Sequence, residues 1–290
     1  MRTRSENSES EHEMDPISQF IVTLLNNILG GLSGPLQPLI NLTGNTPLEF
    51  STANPIVDAS WQLMVGAADT FLGLIVIVGA IQVMYGQSTG TLYLPIGQFL
   101  SRAVLTVILI HLSFIMGQDL IILNNELCGL FHVQVQDFIR QVNGGQLFNA
   151  GQALNLTAVL AVVFSASLAR VALQAVKRVV FFNVLFVLSG PAFLLSFHPL
   201  TSAWFAYWGR TYVVTAFTQF VQFTTMSLGF QFLLASKQTG TTGFLLAIAM
   251  LNLTAEIPAL LSHFATSAGA SAPGVGSFVR SAITAAALFV

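Results

Sequence analysis

The stretch that most constrains the fold runs from Thr211 to Ser236 without one charged side chain. About 20 helical residues at 1.5 Å rise cross the hydrocarbon layer of a bilayer, so this run is long enough to span one. It is not apolar all round. Thr211, Thr215, Thr218, Gln222 and Thr225 recur at intervals of four, three, four and three, which keeps them on one helical face. Hydroxyls and an amide are costly against lipid, so this face is expected to meet another helix, another subunit or water. Interhelical packing and a wet surface both satisfy that requirement.

The rest of the chain agrees with a membrane setting. Hydrophobic residues make up 54% and charged residues 8%, against roughly 25% charged in soluble domains. The formal net charge of -2 owes much to Glu6, Glu9, Glu11, Glu13 and Asp15, and without them the remainder leans basic. The first thirteen residues have no apolar core, which excludes a secretory signal peptide and reads as disorder. Met14, followed by Asp15 and Pro16, offers an alternative start with a good helix cap. Cys128 is the single cysteine, so one chain forms no disulfide and no cysteine-based metal centre.

Apolar periodicity predicts an all-α polytopic bundle of about six transmembrane helices with amphipathic surface helices. Residues 1–60 form the start, an amphipathic helix over Ile17–Leu32 and a Thr, Pro and Asn rich connector from Asn41 to Asn54. The membrane region covers 61–264. Its spans are expected at Trp61–Tyr85, Pro95–Gln118, Leu154–Leu173, Val179–Phe197, Thr211–Ser236 and Gly243–Phe264. Asp119–Glu126 is too polar for lipid, and Leu127, Phe131, Val135, Phe138 and Val142 mark a second surface helix. Small residues Ala161, Ser165, Ala169 and Ala172 suit close packing in the third span. Gly190 and Pro191 predict a kink in the fourth, and Glu256 and Pro258 interrupt the sixth. Residues 265–290 form a short Ala, Gly and Ser rich tail.

Six spans place Arg102, Arg170, Lys177, Arg178 and Lys237 on one side and Arg140, Arg210 and Arg280 on the other. The excess of positive charge assigns the first side to the cytoplasm. Arg170, Gln174, Lys177 and Arg178 share a helical face there. This face either sets topology or meets phosphate of lipid or nucleic acid.

Enzymatic motifs are missing: there is no Walker loop, zincin helix, Rossmann fingerprint or nucleophile elbow. Gly31-Leu32-Ser33-Gly34 looks like an intramembrane serine-protease motif but reads as a glycine-rich helix stop before Pro35. No catalytic role, cofactor or metal is expected, since His111, His198 and His263 lack ligand spacing. The Asn-Leu-Thr triplets at Asn41, Asn155 and Asn252 read as coincidence. Asp69 is the sharpest single residue, because a carboxyl inside a span faces a cavity, an ion path or a partner, or is held neutral for packing.

Asn54-Pro55, Asp58, Ser60-Trp61 and the Asp69-bearing span resemble the TrbL-like polytopic inner-membrane subunit of conjugative type IV secretion systems. The stretch Arg102 to Leu127, ending in Leu123-Asn124-Asn125-Glu126-Leu127, adds to the likeness, which covers roughly Pro16 to Phe264. Many members carry a sizeable soluble C-terminal region where this chain has a short tail. The resemblance implies a multi-pass plasma (inner) membrane scaffold or channel component without catalysis. It would sit among membrane lipids, assemble with itself, with pilin, assembly factors and ATPases, and contact transferred DNA or protein. Candidate interface or conduit residues are Asp69, His111, Thr215, Thr218, Gln222 and Thr225. Arg170, Lys177 and Arg178 are candidates for a cytoplasmic partner. A stand-alone secondary transporter or channel is the alternative, with the Gly190-Pro191 and Glu256-Pro258 breaks as its paired discontinuities.

Overall fold

The computed structural model describes residue 38 and residues 41–89, 96–130, 154–198, 201–239 and 241–271. The expected helix over Ile17–Leu32, the Gly31–Gly34 motif and most of the second surface helix and tail lie outside them. Among the described residues all regular structure is helical. The helices are α1 (Pro55–Thr89), α2 (Ile96–Gly129), α3 (Leu154–Val187), α4 (Ser189–Leu195), α5 (Ser202–Thr239) and α6 (Thr241–Ser271).

Helix α1 starts as its sequence dictates. The Asn54 side chain accepts a hydrogen bond from the backbone N–H of Ile56 at 3.0 Å, and Pro55 takes the first helical position. The helix then runs through the expected loop at Gly86 as far as Thr89. Helix α2 likewise continues unbroken through Asp119–Glu126 to Gly129. Along the α1–α2 hairpin Phe71, Ile77, Ile81, Leu100, Val104 and Ile108 are exposed. A soluble protein rarely shows so large an apolar surface, whereas lipid accepts it.

Among the described residues three helical segments are long and apolar enough to cross a membrane: Pro55–Gly86, Gly97–Gly129 and Thr242–His263. A fourth arises if Val163–Val187 and Ser189–Leu195, bent by 53°, act as one broken span. The expected six spans are thus not confirmed among the described residues. The third expected span and the first half of the fourth are one continuous helix, because Arg170, Lys177 and Arg178 lie within α3 and do not terminate it. Charge alone does not break a helix when strong helix formers such as Ala172, Leu173, Gln174 and Ala175 surround it. The break falls at Leu188 instead. Pro191 has no N–H for the carbonyl four residues back, Val187, and the chain turns there. Gly190 lets α4 press on α1: a Cβ there would lie 3.3 Å from the Met64 carbonyl oxygen.

The striped helix α5 falls outside the apolar set and instead forms the centre of the bundle. Its residues Phe223, Met226 and Phe230 pack with Phe164 and Val171 of α3 and Ala247 and Leu251 of α6. A second cluster joins Phe182 and Phe186 of α3, Ile121 of α2 and Tyr212 and Ala216 of α5. A third joins Val65, Ala68 and Leu72 of α1 with Ala103 and Ile110 of α2 and Phe193 of α4. Trp61 ties the last two together: it stacks near Phe186 and donates its indole N–H to Ser113 Oγ at 3.1 Å.

Candidate functional site

The polar stripe of α5 resolves into two kinds of residue. Thr215, Thr218 and Thr225 each return a hydroxyl bond to the carbonyl four residues earlier, at 2.7, 2.7 and 2.8 Å, as Thr211 does to Tyr207. Their donors are satisfied within the helix and require neither water nor a partner. Gln222 is different. It is 1% exposed and donates to the Thr254 carbonyl and to Gln174 Oε1, both at 3.3 Å. Thr254 lies four residues before Pro258, so its carbonyl lacks the usual helical N–H donor. Gln222 supplies the missing donor, and Gln174 adds a bond to the next carbonyl, Ala255, at 2.7 Å. A polar residue on one helix thus compensates a proline on another.

Asp69 and His111, named separately from sequence, come together across α1 and α2. His111 Nε2 lies 3.4 Å from Asp69 Oδ2, and Nδ1 lies 3.0 Å from the Val107 carbonyl. Both side chains remain outward, 56% exposed for His111 and 39% for Asp69. Gly66, Thr70 and Gly73 lie on the same exposed face of α1, and nothing lies within 4 Å of a Cβ placed on either glycine.

The three basic residues of α3 part company. Arg170 and Lys177 are exposed, while Arg178 is only 8% exposed and points into the bundle. Its Nη2 donates to the Leu42 carbonyl at 3.0 Å and to Thr46 Oγ1 at 3.2 Å. Arg178 therefore holds the chain's own connector, which corrects its assignment to an outside partner. The connector is the element that sequence reading missed. Thr46 donates its backbone N–H to Asn125 Oδ1 and receives Asn125 Nδ2 on its carbonyl, both at 2.9 Å. Its hydroxyl reaches Gln219 Oε1 at 2.8 Å, and Gln219 Nε2 bonds Asn125 Oδ1 at 2.9 Å. Asn183 clasps the next turn through the Phe50 carbonyl at 2.7 Å. The signal available in sequence was the pair Asn124-Asn125 in the polar C-terminal part of α2, with a connector rich in polar groups elsewhere in the chain.

A cleft of about 660 Å³ opens between α3, α5 and α6. Lys177, Arg178 and Arg210 line it together with Phe181, Val214 and Pro258. Lys177 and Arg210 thus line one cleft, whereas six spans predicted them on opposite membrane faces. The cause is again the continuity of α3, which removes one crossing between them.

Among the described residues no three His, Cys, Asp or Glu side chains are grouped to hold a metal ion. No protein-family model, curated protein or solved structure matches the chain.

Proposed function

We propose that the chain is a membrane-embedded helical scaffold that works as one subunit of a larger assembly. Within that class, the sequence resemblance favours a TrbL-like inner-membrane component of a conjugative type IV secretion machine, one that supports pilus assembly and passage of DNA or protein. The observation that carries the assembly reading is the Asp69–His111 pair, a polar contact standing outward on a hairpin that also exposes Phe71, Ile77, Val104 and Ile108. Ionisable groups within apolar helices are expensive against lipid and find partners or cavities. The adjacent Gly66, Thr70 and Gly73 would let a neighbouring backbone approach closely and cover the pair. The stripe of α5 is divided: Gln222 donates inside the bundle while its Oε1 has no partner among the described residues, and Thr211, Thr215 and Thr218 line the cleft between α3, α5 and α6, so the stripe by itself does not separate a scaffold from a stand-alone pore.

Isolation of the full chain from native membranes in mild detergent, with identification of bound proteins, tests this reading. It predicts a secretion ATPase or pilin in the complex, and loss of conjugal transfer with Asp69→Ala. A monomer without protein partners, stabilised by a small solute, would establish the transporter reading instead.

A further inference from the structure

The cleft between α3, α5 and α6 combines features that the scaffold reading leaves unused. Lys177 is exposed and Arg210 half-buried, and neither forms an ion pair among the described residues. No carboxylate is among the described residues that line the cleft. Arg178 adds a third positive charge to the lining, and its buried Nη1 has no hydrogen-bond partner among the described residues. Beside these charges Phe181, Val214 and Pro258 supply an apolar wall.

The level of the cleft is set by its surroundings. Arg210 immediately precedes the charge-free run of α5, and Ser262 lies one residue before the end of the apolar segment Thr242–His263 of α6. Trp204 and Tyr207, roughly two turns and one turn before Arg210 on α5, are 71% and 65% exposed. Positive charge beside an apolar wall matches an anionic lipid, with phosphate on the charges and an acyl chain along the wall.

We propose that this cleft binds the phosphate headgroup of an anionic glycerophospholipid, with Lys177 and Arg210 as its phosphate ligands, Arg178 reinforcing the field from behind, and one acyl chain along Phe181, Val214 and Pro258. The site does not depend on the secretion reading, only on membrane embedding. Lys177 and Arg210 can be replaced without disturbing the core, since neither makes a hydrogen bond or ion pair to it among the described residues.

The test uses the full chain in an uncharged detergent and follows thermal unfolding during titration with phosphatidylglycerol, phosphatidylcholine, inorganic phosphate and a single-stranded oligonucleotide. Phosphatidylglycerol is expected to raise Tm saturably, with the other three giving no comparable shift. Lys177→Gln or Arg210→Gln should weaken the apparent affinity about fivefold, and both together about thirtyfold. Lys177→Arg should retain it, and Arg170→Gln, which removes a charge from the same helix outside the cleft, should leave it unchanged. Equal shifts with phosphatidylcholine would reduce the effect to general lipid solvation. Equal shifts with inorganic phosphate or the oligonucleotide would assign the charges to a soluble anion or to nucleic acid. Equal weakening by Arg170→Gln would mean surface charge without a site. Each of those results overturns the proposal.

Discussion

Gln222 shows how a polar side chain inside an apolar helix can be structural. Pro258 leaves the Thr254 carbonyl without its helical donor, and the Gln222 amide supplies one from α5. Gln222→Leu should therefore destabilise the α5–α6 pair by roughly 1 kcal/mol, within the range for interhelical hydrogen bonds in bilayers. The cost should shrink in a Pro258→Ala background, where the substituted residue regains a backbone N–H that can bond the Thr254 carbonyl. A double-mutant cycle on unfolding in detergent measures this coupling, and strict additivity would argue against it. The threonines of the same stripe carry no such dependence. Thr218→Val, which loses only a bond within its own helix, should cost less than Gln222→Leu in the same assay.

At the scale of elements, the connector around Thr46 is built into the helices as firmly as a strap. Arg178, Asn125 and Gln219 converge on it from α3, α2 and α5, and Gly44 sits where any side chain would overlap the Phe223 ring. Arg178→Gln should loosen it by about 2 kcal/mol, the scale of hydrogen bonds to a charged group. Gly44→Val should do so through steric conflict, at about 1–3 kcal/mol. Limited proteolysis reads both: cleavage between residues 41 and 54 should appear earlier than in the native chain, and unchanged cleavage would count against a docked connector. This element was hard to read from sequence because its bonds come from residues far along the chain. Hydropathy runs announced that α1, α2 and α6 exist, since an apolar helix carries its own signal, but ended α2 at Gln118 where the helix continues to Gly129. They divided α3 wrongly because a charged turn looks like a loop when burial of Arg178 is invisible. The polar face of α5 was legible as a face, but the proline partner that explains Gln222 became evident only when α6 was placed beside it.

For the whole molecule, three apolar clusters hold the helices together, and the outward Asp69–His111 pair is a polar exception among exposed apolar neighbours such as Phe71, Ile108 and Ile115. A lone subunit gains little from that exception, whereas an assembly can cover it. Asp69→Asn keeps hydrogen-bonding capacity and removes ionisation, so it should weaken association while leaving the monomer folded, as read by particle mass in detergent. Photo-crosslinking in native membranes gives the most direct test, with a photoreactive side chain at Thr70, beside the pair on the exposed face of α1. The account predicts discrete adducts with protein, either a second copy of this chain or another subunit of a secretion assembly, which Asp69→Asn diminishes. Adducts with lipid alone would contradict it.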